Sequence, residues 1–473
     1  MKNQQTSIIP IHQKFYNKQT NELTNWEVKT TNSIDLKAIA SFCSLRFMLD
    51  DDTFYNEIKV IRPSTKINFN GSKILKRDKI WEWHYSPTDK SFENILQEFT
   101  DIFEKNITKK SKGKKILLPI SGGIDSRTLF VPIKDEPNLT LSSYEFEDGL
   151  DEIKYGKELA ERFDHKIYTQ KIPKGYLWHK INKLIKINKC FSEFTHPRQL
   201  AVLDNWKGLS DIVLLGHMGD LLFESQSNNN RCYYDEQLTT LMKKVIRPGG
   251  NELANDLWKC WELDGTFDSY MMNRFDKLYG DINIDHPSAR IRAFKSLYYV
   301  PRWSCINISI FQELGELVLP YCEDAMCKFI CTVPERYLRG RKLQIEYIKK
   351  NCPDAARMPW QKYHPLNLYQ YQSFNHPHYY IIRAVRKAKK ILQQYFSKSP
   401  DLITRNWELQ FLGEQNFTEL KKNLLETNKF NKLIPQTIIR KYLNKFQTDP
   451  VQYAHPVSML LTLAVFSDRY YQK

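Results

Sequence analysis

The sequence predicts an α/β protein, in which a parallel sheet flanked by helices follows a small β-rich region and precedes a helical part. From residue 115 onward, short apolar runs alternate with amphipathic stretches, as in strands joined by helical crossovers. Residues 1–90 instead mix strand-like pieces with turns, and a mainly helical pattern follows residue 230. We therefore expect an N-terminal region over 1–90, an α/β domain over 91–375 and a basic helical extension over 376–473.

Two elements are expected before the parallel sheet. Residues 67–69 and 73–75 flank Asn70-Gly71, a dipeptide typical of two-residue hairpin turns, so an antiparallel pair is predicted there. Residues 91–110 carry apolar side chains at helical spacing and predict an amphipathic helix. Its apolar face comprises Ile95, Phe99, Ile102 and Phe103.

Four apolar runs predict strands of the parallel sheet, at residues 116–120, 139–146, 165–168 and 212–215. The last run is apolar throughout, as expected of a strand that is buried on both faces. A helical pattern over 151–163 separates the second strand from the third, which is the spacing of a crossover connection.

The sequence SGGIDS follows the first of these strands directly. Gly122 and Gly123 allow a tight turn that brings backbone N–H groups close to an anion. Asp125 and Ser126 then open a helix, whose N-terminus adds a partial positive charge. The hydroxyls of Ser121 and Ser126 can donate to phosphate oxygens, and Asp125 can hold Mg²⁺. The loop predicts a pyrophosphate-binding site that differs from the Walker type, which requires GxxxxGK[ST].

Length and composition fit a folded protein of two or three domains. The chain has 473 residues, of which 41% are hydrophobic and 13% aromatic. It contains no run of about 18 apolar residues, so no membrane span is predicted. The first few residues lack the apolar core of a secretory signal, and we expect a cytoplasmic location.

The net charge of +16 raises the question of anionic partners. The lysines are dispersed along the chain and no RNA-binding module is recognisable, so nucleic acid is not expected as a partner. Residues 381–392 form a basic amphipathic pattern. This pattern fits either a solvated helix face or a peripheral contact with a membrane surface.

The nine cysteines are scattered, and their odd number argues against a disulfide framework. Cys322, Cys327 and Cys331 form the one cluster, which lacks a CxxC unit, so we expect buried free thiols there rather than a metal site. Cys43 lies among apolar residues, where a thiol is usually buried and inert.

The SGGIDS loop resembles that of the PP-loop ATP pyrophosphatases, which cleave ATP between the α and β phosphates. This superfamily has an adenine nucleotide α-hydrolase-like fold and includes asparagine synthetases, GMP synthetases and several tRNA-modifying enzymes. The resemblance implies ATP and Mg²⁺ as cofactors and adenylation as the first half-reaction. It also places Ser142, in the next strand, at the nucleotide site.

Two further stretches narrow the resemblance to the asparagine synthetase family. SYEFEDGLDEIKYGKELAERFDH shows the acidic pair, alanine-bearing helix and terminal histidine of one family segment. LLGHMGDLLF resembles the second loop of the family, usually LSGEGSDELF. Gly216 and Asp220 match there and are expected at the nucleotide and the metal respectively, whereas His217 stands in place of the glutamate.

A third match, PYCEDAMCKFICTVP, lies over the PFLDYRLVEFALSLP-like stretch of the family. Glu323 takes the place of an aspartate in that stretch and is expected to be catalytic. The family carries a lysine that contacts pyrophosphate farther along the chain. Arg341 and Lys342 are the candidates here, and Lys342 is our choice.

The N-terminal region resembles the tail of the glutamine-hydrolysing domain of the family. The family's nucleophile is a cysteine directly after the initiator methionine, and Lys2 stands there instead. The resemblance therefore implies a truncated glutaminase remnant without glutaminase activity. Nitrogen would come from ammonia, an amine or a separate amidotransferase. The matching positions are Asp52, Thr53, Phe54, Ile58, Pro63 and Trp81.

The resemblance implies a carbon–nitrogen ligase that converts a small-molecule carboxylate into an acyl-adenylate and transfers the acyl group to an amine. Asp125 and Asp220 would hold Mg²⁺, and His217 would accept the amine proton as general base. Aspartate, converted to asparagine in amino-acid biosynthesis, is the default acid. Two alternatives stay open: a PP-loop tRNA-modifying enzyme, and a degenerate binding subunit, which the altered second loop suggests.

Overall fold

Two β-sheets organise the chain, one antiparallel and one parallel, which confirms the predicted α/β class. The computed structural model describes residues 2–26, 32–147, 149, 151–227, 233–381, 384, 385, 388, 410–426 and 428–470. Within these ranges, none of the helices combines the length and the apolar character that a transmembrane span requires. The predicted basic helix over 381–392 lies largely outside the described residues.

The N-terminal sheet is antiparallel, in the order β1-β5-β6-β3-β2-β4. Strands β5 and β6 pair across the predicted turn, where Gly71 has a φ of +60° that glycine adopts without strain. Lys2 lies on the exposed edge strand β1. The strands are β1 (Lys2–Gln5), β2 (Phe15–Asn17), β3 (Glu22–Thr24), β4 (Ile58–Val60), β5 (Thr65–Asn70) and β6 (Lys73–Lys79).

The second sheet is wholly parallel and has the order β11-β10-β7-β8-β9. Its strands are β7 (Ile116–Pro119), β8 (Leu139–Phe146), β9 (Lys166–Ile172), β10 (Ile212–Leu214) and β11 (Glu316–Val318). The chain first builds outward from β7 through β8 to β9 and then adds β10 on the other side of β7. The strand order therefore reverses between β7 and β10, and a crevice opens there at the carboxyl ends of the strands.

Helices cover this sheet and make up most of the chain beyond it. They are α1 (Leu36–Leu45), α2 (Phe92–Ser111), α3 (Ile124–Phe130), α4 (Ile153–Arg162), α5 (Tyr176–Asn188), α6 (Leu200–Leu203), α7 (Gly219–Leu222), α8 (Tyr234–Val245), α9 (Gly250–Cys260), α10 (Phe267–Gly280), α11 (Pro287–Phe294), α12 (Cys305–Ile308), α13 (Asp324–Ile330), α14 (Glu335–Leu338), α15 (Lys342–Asn351), α16 (Pro353–Arg357), α17 (Glu414–Leu425), α18 (Asn428–Leu433), α19 (Gln436–Thr448) and α20 (Pro450–Tyr470). The last four lie in the C-terminal part, which is helical as predicted.

Helix α2 is the predicted amphipathic helix. Ser91 caps it by accepting a hydrogen bond from the Asn94 backbone N–H at 3.2 Å, which satisfies a donor that the first turn leaves unpaired. Three of the four predicted apolar side chains are fully buried, and Ile102 is partly buried. The Phe103 ring lies 5.2 Å from that of Tyr321, whose hydroxyl donates to the Asp125 carbonyl, so the helix supports the start of α3.

A π-helix over Lys295–Ser304 forms the opposite wall of the crevice. Its rare geometry includes Pro301, which has no N–H to donate. Arg302 joins this wall to the N-terminal region, since its side chain is buried and donates to the Met48 and Asp52 carbonyls and to Gln13 Oε1. The N-terminal region thus supports one wall of the crevice.

The cysteines are free thiols, as predicted, among the residues that the structure describes. Cys322, Cys327 and Cys331 are buried, and within the described ranges no group of side chains could ligate a metal through three residues. Cys43 is also fully buried, which raises the pKa of its thiol. The proposed domain boundaries at residues 90 and 375 stay predictions.

Candidate active site

A cavity of about 530 Å³ lies at the carboxyl ends of β7 and β10, where the strand order reverses. The SGGIDS and GHMGD loops both contribute to its wall, as the sequence predicts for loops that follow neighbouring parallel strands. The other residues in contact with the cavity come from β8, the start of α4, the segment after α5, the π-helix and the turn after α12. They include Tyr144, Glu152, His196, Arg198, Gln199, Lys295, Tyr299, Val300, Trp303, Ser304 and Phe311.

The SGGIDS loop is held in shape by its own hydroxyls. Ser121 Oγ accepts a hydrogen bond from the Gly123 N–H at 3.3 Å, and Ser126 Oγ accepts one from the Ser121 N–H at 3.2 Å. The two hydroxyls lie 3.4 Å apart. Ser121, Gly123, Asp125 and Ser126 all line the cavity, so the loop presents two hydroxyl groups to it.

Two glycines let the second loop approach the first. A β-carbon at Gly216 would lie 3.1 Å from the Ser126 backbone nitrogen, and one at Gly219 would overlap the Asp125 carboxylate. Met218, between them, adopts a left-handed φ of 74°, which is uncommon for a residue with a β-carbon. The loop therefore turns sharply and leaves Asp220 exposed at the mouth of the cavity.

A polar network holds the Asp125 carboxylate. Arg341 pairs with its Oδ1, and Gln344 Nε2 donates to the same oxygen at 3.1 Å. Gln344 also accepts from Arg341 Nε at 2.6 Å and donates to the Tyr321 hydroxyl at 2.8 Å. Burial raises the pKa of Asp125, Arg341 opposes the rise, and the Asp220 charge adds to it.

Asp220 is the available carboxylate of the cavity. Its side chain takes part in no hydrogen bond or ion pair with another described residue. Mg²⁺ is usually held by one or two carboxylates together with substrate phosphates and water. Asp220, with Asp125 beside it, fits that donor set, whereas a metal held by protein side chains alone would need more ligands.

His217 projects from the second loop into the wall of the cavity. Its Nδ1 is inaccessible and has no hydrogen-bond partner. Burial lowers the pKa of His217 to about 4, Arg198 acts in the same direction, and Asp220 opposes them. The imidazole is therefore neutral at pH 7, and it is a weaker base than the sequence-based assignment as general base assumes.

The π-helix supplies a lysine that the sequence did not single out. Lys295 lines the cavity, and its Nζ donates to Gln226 Oε1 at 3.2 Å. Burial lowers the pKa of this ammonium group to about 8, with Asp220 opposing and Lys244 adding to the shift. A lysine so placed is charged at neutral pH and can neutralise phosphate oxygens.

Arg198 and an aromatic group complete the wall. Arg198 and Gln199 both donate to the Tyr144 hydroxyl, at 3.0 and 2.8 Å. The Trp303 ring lies 4.2 Å from the His196 ring, between their centroids. The cavity therefore joins a polar end near SGGIDS to a more apolar face on the π-helix.

Four of the predicted residues lie outside the lining of this cavity. Glu323 pairs with Lys110 and lines a separate cavity of about 380 Å³ beside the N-terminal strand residues. Lys342 Nζ instead stacks 4.4 Å from the centroid of the Phe92 ring. Its neighbour Arg341, which precedes α15 with a left-handed φ of 64°, pairs instead with Asp125, so the predicted contact of Lys342 with pyrophosphate stays a prediction.

The other two predicted residues outside the cavity lining are Ser142 and Gly122, which lie within the fold beside it. Ser142 is buried within β8, and its carbonyl accepts from the Ile120 N–H at 2.8 Å. Gly122 packs under the loop, where a β-carbon would lie 2.6 Å from Gln361 Cβ. The Gly122 carbonyl also accepts from the Gln361 N–H at 3.1 Å, so this glycine allows a close approach of the chain.

Neither protein-family models nor curated proteins match this chain. Solved structures do give matches, among them NMN synthetase from Francisella tularensis. That match has 14% sequence identity and a TM-score of 0.22, and it covers 44% of this chain and 93% of the other. At this identity and TM-score, the function has to be argued from the residues of the cavity.

Proposed function

We propose that this chain is an ATP-dependent amide-forming ligase, similar to asparagine synthetases, that activates a carboxylate as an acyl-adenylate. The observation that carries the proposal is the convergence of the SGGIDS and GHMGD loops on one cavity. Both loops leave neighbouring parallel strands at the point where open α/β sheets bind ligands. Lys295 lines the same cavity from another segment, and Arg341 pairs with the Asp125 carboxylate in its wall.

The chemistry requires charge stabilisation more than acid–base catalysis. A carboxylate oxygen attacks the α-phosphorus of ATP, and the bond to the bridging oxygen breaks as pyrophosphate leaves. Negative charge grows on the departing oxygens, so fixed donors and cations that face them lower the barrier. When bound with ATP, Mg²⁺ would neutralise part of this charge, and Asp220 is the side chain available to hold it.

Different residues of the site would bind the phosphates, supply positive charge and position the Asp125 carboxylate. The hydroxyls of Ser121 and Ser126 present donors for phosphate oxygens. Lys295 approaches from the π-helix with its positive charge, and Arg341 holds the Asp125 carboxylate in place. These groups are preorganised by their own hydrogen bonds, which is the condition for strong electrostatic stabilisation.

The test of the first half-reaction is pyrophosphate release from ATP over a panel of acids, with ammonia or amines present. We expect AMP and pyrophosphate with the correct acid, and a loss of at least tenfold in Asp220→Asn. Asp135→Asn is the control, because Asp135 is exposed and, among the residues that the structure describes, pairs only with its neighbour Lys134. Failure of every acid to give AMP would contradict the proposal.

The nitrogen source of the proposed reaction is ammonia, an amine co-substrate or a separate amidotransferase. Lys2 carries no thiol, and the Cys43 thiol is buried, so neither residue offers an accessible thiol nucleophile for glutamine. We expect the purified protein to release no glutamate from glutamine, with or without ATP. Glutaminase activity that disappears in Cys43→Ala would contradict this expectation.

One observation favours a second candidate, a binding subunit without turnover. Asp125 is already satisfied by Arg341 and Gln344, so the nucleotide could bind without a metal bridging both aspartates. Calorimetry separates the two candidates, since ATP affinity that does not depend on Mg²⁺, together with no turnover on any acid, would support this one. No specific contact in the described residues favours the tRNA-modifying alternative.

A further inference from the structure

We infer that His217 acts as a neutral hydrogen-bond donor to the reacting acyl group, through its Nε2–H, and not as the base that removes the amine proton. The inference rests on the proposed function, because the acyl group is that of the proposed acyl-adenylate. It concerns the second half-reaction, in which the amine displaces AMP. His217 would then be a catalytic residue whose proton is never transferred.

The first step of the argument is which nitrogen a ligand can reach. His217 lines the cavity and is partly exposed to it, whereas its Nδ1 is inaccessible. The structure gives neither ring nitrogen a hydrogen bond to another described residue. Nε2 is therefore the atom that meets a bound ligand.

The second step is which nitrogen carries the proton of the neutral ring. With the proton on Nδ1, a buried N–H would have no acceptor. With the proton on Nε2, the buried Nδ1 is an acceptor without a donor. Proteins tolerate a buried acceptor without a partner more often than a buried N–H without one. The proton therefore belongs on Nε2, where a ligand oxygen can accept it.

The charged groups around the ring act against its use as a base. Arg198 and His196 approach from the segment after α5, Lys295 comes from the π-helix, and Asp220 is the carboxylate on the same loop. Burial and Arg198 lower the pKa of His217 to about 4, with Asp220 opposing them. A ring with that pKa is a poor acceptor for an amine proton at neutral pH.

A donor at this position has a defined task. As the amine nitrogen forms its bond to the acyl carbon, the carbonyl oxygen gains negative charge, and an N–H aimed at it stabilises the intermediate. The bond from the acyl carbon to the phosphate oxygen then breaks, and AMP leaves with that electron pair. The amine proton goes to the phosphate of the departing AMP, which leaves the His217 proton in place.

Two substitutions separate a donor from a base. Glutamine at 217 keeps an N–H donor on a side chain of similar reach, whereas glutamate supplies a base without a donor. We expect His217→Gln to stay within about tenfold of the wild-type rate of amide formation and His217→Glu to fall by about 10²–10³-fold, the effect of removing one oxyanion donor. Both variants should retain adenylation, measured as exchange of pyrophosphate into ATP. His165→Gln is the control, since the His165 ring contacts the Lys134 carbonyl and does not line the cavity.

A spectroscopic measurement tests the inference without turnover. Nitrogen-15 NMR of histidine-labelled protein at pH 7, with the signal assigned by its loss in His217→Gln, reports the position of the ring proton. A proton on Nε2 is expected. A proton on Nδ1 would overturn the inference, and so would amide formation that is faster in His217→Glu than in His217→Gln. If no acid supports adenylation the proposed function fails, and the NMR result alone then decides whether His217 presents a donor.

Discussion

Gly219 lies directly against the Asp125 carboxylate, so a β-carbon at position 219 would overlap Asp125 Oδ1. This contact joins the second loop to the first across the gap between β10 and β7. Gly216, at the start of the second loop, also lies against the first loop. A β-carbon at position 216 would lie 3.1 Å from the Ser126 backbone nitrogen, which is a tight contact. The two loops therefore form one unit, and their shared contacts place Asp125 and Asp220 on the same cavity.

The close contact of Gly219 with Asp125 predicts that adding one methyl group at position 219 lowers both stability and ATP affinity. Gly219→Ala should displace either the loop or Asp125, at a cost of about 1–3 kcal/mol in the free energy of unfolding. ATP affinity should fall with it, by tenfold or more, in calorimetric titrations. Gly280→Ala is the matched control, because the nearest atom to a β-carbon there is the Tyr234 hydroxyl at 3.5 Å. Equal behaviour of the two variants would contradict this account.

Replacing Arg341 should lower the free energy of unfolding by more than replacing its neighbour Lys342. Removing the guanidinium in Arg341→Met leaves the Asp125 carboxylate with less compensation in a mostly buried position, at a cost of about 3 kcal/mol in the free energy of unfolding. Lys342→Met removes an ammonium group that stacks on Phe92, which is worth about 0.5–1 kcal/mol at an exposed site. Urea denaturation of both variants gives the comparison.

A double variant checks that the Arg341 effect acts through Asp125. Adding Asp125→Asn to Arg341→Met should cost less than the sum of the two single changes, because the residues touch. Strict additivity would mean that the ion pair contributes nothing to stability.

The sequence predicts four of the five parallel strands and both loops, because each depends on local patterns, whereas the three-residue strand β11 was not predicted. The run at 139–146 matches β8, and SGGIDS follows β7 as expected. Lys295 and Arg198 were not identified, because they reach the cavity from segments far from either loop in sequence. The choice between Arg341 and Lys342 depends on the rotation of α15 about its axis. The left-handed φ values of Gly340 and Arg341 set that rotation, and the sequence does not reveal them.

The charge of Lys295 predicts a pH dependence of ATP binding. Its lowered pKa of about 8 means that the ammonium is present below pH 8 and lost as the pH rises through that value. ATP affinity should therefore fall between pH 7 and pH 9.5, by about tenfold if Lys295 makes one charge-assisted hydrogen bond. Calorimetry at the two pH values measures it. In Lys295→Met the affinity should be lower at pH 7 and nearly independent of pH over this range.

The contacts of Arg302 predict that the N-terminal region supports ATP binding from a distance. Arg302 lies on the π-helix beside Trp303, and it donates to two backbone carbonyls near residue 50 and to Gln13. Burial lowers its pKa to about 10, so the guanidinium stays charged at neutral pH. Arg302→Met would leave buried carbonyls without donors and loosen the wall that carries Lys295, at a cost of about 2–4 kcal/mol.

The measurement for Arg302→Met pairs urea denaturation with ATP titration. We expect both stability and ATP affinity to fall, although Arg302 itself does not line the cavity. Arg357→Met serves as the control, because Arg357 is exposed and, within the described ranges, bonds only to Asp354 on its own helix. This variant should change stability by less than about 0.5 kcal/mol. A loss of stability with unchanged ATP affinity would show that the π-helix keeps its place without the N-terminal contacts. A joint loss would show that the N-terminal region braces the wall that carries Lys295, through the contacts of Arg302.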